Sequence, residues 1–146
     1  DQAMYFIDGH SPDWGVCNDS LLRAFNSALR REGTLFAQTR DQFGRWVNEY
    51  RSVPIYDAGL LYDQSTRVIT NSENPNGGAA NQTSVYFVKN GVASHVHGFE
   101  KEPLSVRDLG ELQTAPRLRT RIEWLIGLAD WHTRALSRVQ QIQATT

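Results

Sequence analysis

The stretch Ser94-His95-Val96-His97-Gly98-Phe99-Glu100-Lys101-Glu102-Pro103-Leu104-Ser105-Val106-Arg107-Asp108 places two histidines one residue apart and a carboxylate shortly after them. If residues 92–97 form a strand, alternation turns His95 and His97 toward the same face, where two imidazole nitrogens can converge. Asp108 could then supply a third ligand. Two histidines and one carboxylate, with a fourth position left for water, are typical of a catalytic zinc site.

This spacing resembles the motif of the JAMM/MPN (JAB-type) zinc metalloprotease family, His-x-His, seven residues, then Ser-x-x-Asp, and all four named positions match. The resemblance implies a Zn2+ ion held by His95, His97, Asp108 and a water, with Ser105 stabilising the oxyanion. It implies an α/β fold of the cytidine-deaminase-like architecture and hydrolysis of a peptide or isopeptide bond in a protein or peptide substrate. The His-x-His-Gly form is similar to the branch of the family found in bacterial polymorphic toxins, which would suit a soluble domain, cytoplasmic or secreted as part of a larger effector.

The general base is where this sequence departs from the family. JAMM proteins carry a glutamate in a Glu-x-x-Gly-hydrophobic-hydrophobic context, and the matching segment, Tyr56-Asp57-Ala58-Gly59-Leu60-Leu61, has Tyr56 at that position. Asp57 could reach the water if a bulge beside Pro54 shifts the side-chain alternation, or Glu49 could come in from the preceding helix. The third alternative is that no base exists, and the chain is then a JAMM-fold binding or scaffold module without hydrolase activity.

Cys17, the single cysteine, supports a different enzyme class. It opens the first predicted helix, where the helix dipole lowers a thiol pKa, and His95 or His97 lies downstream as in thiol hydrolases. The alternative interpretation is that a lone cysteine beside a helix start is a small buried apolar residue.

The composition is that of one globular domain covering residues 1–146, with 40% hydrophobic and 21% charged residues. The net charge is -1, from 15 Lys+Arg against 16 Asp+Glu, so nucleic acid and anionic membranes are not expected partners. No run of about 18 apolar residues is present, so no membrane span is expected. The composition does not specify an oligomeric state.

The hydrophobic periodicity predicts two N-terminal helices over about 18–51, the first capped by Asn18 or Asp19 and ended by Gly33. The second helical pattern runs from Phe36 to Tyr50. A sheet is expected over about 53–97, with a hairpin that joins residues 83–88 to residues 92–97 across an Asn-Gly step.

Beyond the sheet, Ser105 is a candidate N-cap of a metal-site helix, and a last helix is expected to begin near Thr114. Its apolar stripe would include Leu118, Ile122, Leu125 and Ala129, with most arginines elsewhere. The two helices would cover about 105–142. The resulting fold class is α/β, a mixed sheet flanked by helices, and the polar loop 71–82 could gate a nearby site.

Overall fold

The computed structural model of the protein describes residues 2–32, 38–40, 44–73, 81–112 and 114–143. The elements are, in chain order, α1 (Gln2–Phe6), a 3-10 turn (Asp8–His10), β1 (Trp14–Cys17), α2 (Asp19–Glu32), β2 (Gln38–Arg40), β3 (Trp46–Tyr50), β4 (Val53–Asp57), β5 (Gln82–Val88), β6 (Val96–Leu112), β7 (Ala115–Asp130) and β8 (Leu136–Gln143). Within the described residues, every regular element after α2 is therefore a strand.

Six strands form one mixed sheet in the order β2-β3-β4-β1-β5-β8. The two strands β1 and β4 are parallel, with Cys17 beside Asp57, whereas the other neighbours are antiparallel. The remaining strands, β6 and β7, pair with each other and form a separate two-stranded hairpin, and Val96 also forms an isolated bridge with Asn90. The structure therefore consists of a mixed sheet with one long hairpin beside it.

The hairpin that the sequence predicts between residues 83–88 and residues 92–97 is wrong. Strand β5 pairs with β1 and β8, and His97 belongs to β6, which pairs with β7. The Asn-Gly step does lie in a turn, in which the Gly91 N–H donates to the Val96 carbonyl at 3.1 Å. This turn leads the chain from the six-stranded sheet into β6 instead of folding it back on β5.

Asn18 caps α2 at the position that the sequence predicts. Its Oδ1 accepts the Leu21 N–H at 2.9 Å, and its Nδ2 donates to Thr83 Oγ1 at 3.1 Å and to Asn71 Oδ1 at 2.6 Å. Asn18 and Thr83 are both buried. The capping residue thus also joins the helix to β5 and to the start of the polar loop, whose residues 74–80 lie outside the described residues.

The second N-terminal helix is wrong, because residues 38–40 and 46–50 form the antiparallel strands β2 and β3 there, and β3 continues into an antiparallel pair with β4. The strands β3 and β4 are joined by Arg51 and Ser52, which have φ values of 52° and 64°. Two successive positive φ values are typical of a type I′ hairpin turn, which glycine and asparagine usually form. Since neither residue is present, the sequence contains no clear turn signal. Phe36 and Phe43 of the helical pattern lie outside the described residues.

The helices predicted over about 105–142 are also wrong, since this segment forms the end of β6, all of β7 and β8. Ser105 does not cap a helix but lies opposite Glu123 in the hairpin. The reason is that these residues also follow the two-residue period of a strand, in addition to the helical period that the prediction used. Even-numbered positions from 118 to 128 are apolar or threonine, and odd-numbered positions from 117 to 123 are charged. Such alternation, rich in Ile, Thr and Trp, favours a strand.

The buried core lies where α1 and the residue after it pack on the large sheet. Its members are Met4, Ile7, Val53 and Phe87. An apolar cavity of about 400 Å³ lies between α1, α2 and the sheet. None of the described helices is long and apolar enough to cross a membrane.

The Asn18→Ala substitution is expected to lower the free energy of unfolding by about 2 kcal/mol, because it removes a helix cap and leaves a buried hydroxyl without its donor. Urea unfolding followed by circular dichroism measures this change. Asn90→Ala, at an exposed position, is the matched control and should change stability by less than about 0.5 kcal/mol. Equal effects of both substitutions would contradict the capping role.

Candidate functional site

The residues of the predicted zinc site do not converge. His95 precedes β6, His97 lies near the start of β6, and Asp108 lies eleven residues further along the same strand, opposite Thr120. In an extended strand this separation is roughly 30 Å, so the carboxylate and the imidazoles cannot share one ion. The described residues contain no group of three or more His, Cys, Asp or Glu side chains that could hold a metal. Zinc binding stays a prediction from the sequence, and these three ligands do not fit the ion.

The two histidines have other contacts instead. The His97 ring stacks on Trp131 with 6.0 Å between ring centroids. His95 lies 3.0 Å from Ser94 Oγ through Nδ1 and 3.3 Å from Asp8 Oδ2 through Nε2. These contacts lie at the base of the hairpin, where the histidines hold chain segments together.

The candidate bases are also far from a common site. Asp57 ends β4, where its Oδ1 accepts the Gly59 N–H at 3.1 Å, and it lines a polar cavity of about 530 Å³ with Asp19 and Arg67. The residues that line this cavity include none of the predicted zinc ligands. Glu49 lies on β3 opposite Pro54. Neither carboxylate is therefore placed beside Ser105 or the histidines.

Cys17 is buried at the end of β1, and its thiol is not activated. Burial, together with the negative charges of Asp57 and Asp19, raises the pKa of the Cys17 thiol to about 12. The thiolate is the nucleophilic form, so a thiol that stays protonated at neutral pH is unreactive. A buried, protonated thiol does not support the thiol hydrolase alternative.

The Cys17 thiol is expected to react with a thiol reagent at least about a hundredfold more slowly in the folded protein than after unfolding, because it is buried and protonated. The reaction with 5,5′-dithiobis(2-nitrobenzoic acid) at pH 8, with and without urea, measures this ratio. Similar rates in both conditions would contradict the placement of the side chain.

The base of the hairpin is held by the N-terminal segment of residues 5–13. The Asp8 N–H donates to the Arg134 carbonyl at 3.0 Å, and the Arg134 guanidinium donates back to the carbonyls of Phe6 and Tyr5 at 2.9 and 3.2 Å. Arg134 lies in the segment that follows β7. One strand of the hairpin is thus bound to the body at its base.

The other strand of the hairpin is bound by the same N-terminal segment. Lys89 Nζ donates to the Asp8 carbonyl at 2.6 Å, and the Asn90 N–H donates to Asp13 Oδ2 at 2.6 Å. The hydrogen bond from His95 lowers the pKa of the Asp8 carboxyl, and the charges of His132 and Lys89 act in the same direction against its partial desolvation. The N-terminal segment therefore contacts the chain just before β6 and the chain just after β7.

Asp8→Asn is expected to lower the melting temperature at pH 7, because the Asp8 carboxylate is stabilised in the folded protein. A depressed pKa contributes stability that is present above the ordinary carboxyl pKa of about 3.9 and is lost as the pH falls through the lower, folded value. The difference between Asp8→Asn and wild type should therefore shrink toward pH 2. Thermal melts at both pH values test this. Glu102→Gln, an exposed carboxylate, is the control, and a difference independent of pH would contradict the assignment.

The hairpin has two chemically different faces. Antiparallel pairing places Val106 opposite Ile122 and Arg107 opposite Arg121, and residues opposite each other share a face. The apolar face consists of Val106, Leu118, Ile122, Trp124, Ile126 and Leu128. The basic face includes Arg107, Arg117, Arg119 and Arg121, with Glu123 on the same face beside Arg121. Sequence reasoning missed both faces, although the alternation of residues 117–124 contains them.

The apolar face is not covered by the described part of the chain. Leu118, Ile122 and Leu128 are 75%, 67% and 80% exposed. Near the base this face contains a shallow depression of about 690 Å³, in which Trp124 Nε1 donates to Glu100 Oε1 at 2.6 Å. Exposed apolar patches of this kind mark interaction surfaces in stable proteins.

No protein-family model matches this sequence, and no curated protein does. Among solved structures, the chain aligns with a subunit in the cryoEM structure of the holo-SrpI encapsulin complex from Synechococcus elongatus PCC 7942, with a TM-score of 0.63 and 22% sequence identity. The fold is similar to that of an encapsulin. The alignment covers 93% of this chain and 46% of the encapsulin chain, so the chain spans less than half the length of that protein.

The comparison overturns the JAMM/MPN identification, including its polymorphic-toxin branch. The similar structure is an encapsulin, and residues 95–108, which carry the motif, lie along a hairpin instead of around a metal. The zinc hydrolase and isopeptidase function inferred from that motif is therefore wrong. The match of four residues in sequence was a coincidence of spacing.

Proposed function

We propose that this chain is part of a shell protein that assembles with further copies of itself, and that the β6–β7 hairpin is its assembly element. The observation that carries the proposal is the uncovered apolar face of the hairpin. A two-stranded hairpin alone is marginally stable in water and needs a hydrophobic face packed on something else. Here the described chain contacts the hairpin only at its base, so another molecule has to supply that packing.

The dimensions of the hairpin indicate how strong one contact can be. Strands of 17 and 16 residues are about 50 Å long, and each face of the pair is about 10 Å wide. One face thus offers roughly 500 Å², less than the roughly 800 Å² per partner of a standard stable interface. A single contact would be weak, and a closed assembly that repeats it many times would be stable through multivalency.

The comparison with the encapsulin supports the same proposal. The similar subunit was solved in a complex, so a chain with this fold exists in an assembled state. The fold likeness does not specify the number of copies. The sequence analysis left open a binding or scaffold role without hydrolase activity. That role agrees with this proposal, but the JAMM fold that accompanied it does not.

Ile122→Lys is expected to reduce the assembled fraction at least about tenfold, because an interface then buries an unpaired charge at a cost above about 1.4 kcal/mol. Light scattering coupled to size-exclusion chromatography, with negative-stain electron microscopy, measures the assembled fraction. Ile122 is 67% exposed, so the circular dichroism spectrum should not change.

Val92→Lys is the matched control, since Val92 is an 85% exposed apolar residue outside the hairpin. It should assemble as wild type does. A wild-type protein that stays monomeric at every concentration would overturn the proposal, as would an Ile122→Lys variant that assembles normally.

A further inference from the structure

The half of the hairpin that is farther from the large sheet contains Arg107, Arg119 and Arg121. On its basic face, these positive charges outnumber the negative ones. Arg107 lies directly opposite Arg121, and Arg119 shares their face. Like charges opposite each other in a strand pair are unfavourable. Glu123 forms an ion pair with Arg121, but the described residues supply no ion pair or hydrogen bond to the side chains of Arg107 and Arg119. Two guanidinium groups thus lack an anionic partner among the described residues.

The opposite face of the same half carries carboxylates beside its apolar residues. Asp108 lies opposite Thr120, and Glu111 lies opposite Leu118. Glu111, like Arg107, has no ion-pair partner among the described residues. The two faces of one hairpin therefore differ in sign at the same distance from its base, with arginines on one side and carboxylates at the edge of the apolar surface on the other.

We propose that neighbouring copies join head-to-tail through their hairpins, with the basic face of one copy packed on the apolar face of the next. This inference rests on the proposed assembly function and specifies its geometry. The occupant of the apolar face is a second copy of this chain, because the charges of its basic face complement Asp108 and Glu111. The contact joins two different surfaces, so it belongs to the class that forms rings when its rotation closes.

Arginine side chains suit both parts of this contact. Their aliphatic stems can cover the exposed Val106 and Ile122, while the guanidinium groups reach the carboxylates of Asp108 and Glu111. A guanidinium can also lie on the exposed ring of Trp124. One row of arginines could therefore bury apolar surface and form ion pairs at the same time.

A contact between the apolar faces of two copies would bury apolar surface but would form no ion pairs. Two apolar faces would come together with all their carboxylates and no cation, and both rows of arginines would remain without partners. Like-charge juxtaposition across an interface opposes association. The charge pattern thus favours unlike faces over like ones.

Charge reversal on each face tests the geometry. The first variant carries Arg119→Glu and Arg121→Glu, and the second carries Asp108→Arg and Glu111→Arg. Each should lose at least about tenfold in assembled fraction by light scattering at low salt, since each opposes like charges at every contact. A protein with all four substitutions, and an equimolar mixture of the two variants, should recover assembly because the signs are again complementary.

Assembly of the first variant at the wild-type level would overturn the head-to-tail contact, and so would failure of the four-substitution protein to exceed either parent. Because Asp108 also accepts the Gly110 N–H at 2.9 Å, Glu111→Arg alone serves as a variant that keeps this turn intact. It should lose assembly when alone and regain part of it when mixed with the first variant. If Ile122→Lys abolishes assembly but the arginine reversals do not, only this inference fails and the assembly function stands.

Discussion

The backbone pairing between β6 and β7 holds the long hairpin together outside the large sheet. It runs from Val96 opposite Asp130 to Leu112 opposite Ala115, and it satisfies the inward-facing peptide groups of two long strands without help from the large sheet. The outward-facing peptide groups can hydrogen-bond to water, so the strands can extend away from the body. The side chains are not covered within the hairpin, because both faces of a two-stranded hairpin are open. The apolar residues of β7 are therefore left exposed by the described part of the chain.

The N-terminal segment gives this hairpin a defined position. It binds the chain before β6 through Lys89 and His95, and the chain after β7 through Arg134. Both strands thus leave the body from a region held by several hydrogen bonds, two of them at 2.6 Å. A surface that is fixed at its base is better suited to repeated, equivalent contacts than a loosely attached one, because less conformational entropy is lost on association. Asp8, which the sequence analysis did not single out, is central to this arrangement.

Local signals predicted part of the fold. The start of α2 followed from a capping asparagine and a helical apolar pattern, both of which act within one turn of chain. The strands β6 and β7 were missed because Leu118, Ile122, Leu125 and Ala129 fit a helical period, while residues 117–124 also alternate charged with apolar. Whether such a segment forms a helix or a strand depends on pairing with a second strand. That pairing is a contact between distant residues, so the local sequence does not predict it. The turn at Arg51 and Ser52 was missed because residues unusual for its geometry adopt it.

The prediction of a zinc site was wrong for a related reason. A spacing such as that from His95 to Asp108 specifies a metal site only if the chain between the ligands folds back on itself. Here that chain is extended, so residues that match a motif in sequence lie far apart in space. The alternating arginines of β7 held the more useful signal, since they indicate a strand with two unlike faces. Which molecule covers those faces depends on the protein concentration and on contacts with other copies. Such intermolecular contacts cannot be predicted from the local sequence pattern of one chain.

Hydrogen–deuterium exchange of the β6–β7 amides as a function of protein concentration shows whether other copies cover the hairpin. Both outward edges of the two-stranded hairpin are open, and its pairing is expected to be marginal in an isolated molecule. If copies cover the hairpin, protection of residues 98–128 should rise at least about tenfold between nanomolar and micromolar protein, while β1 and β5 remain unchanged. Equal protection of the hairpin at all concentrations would contradict the account.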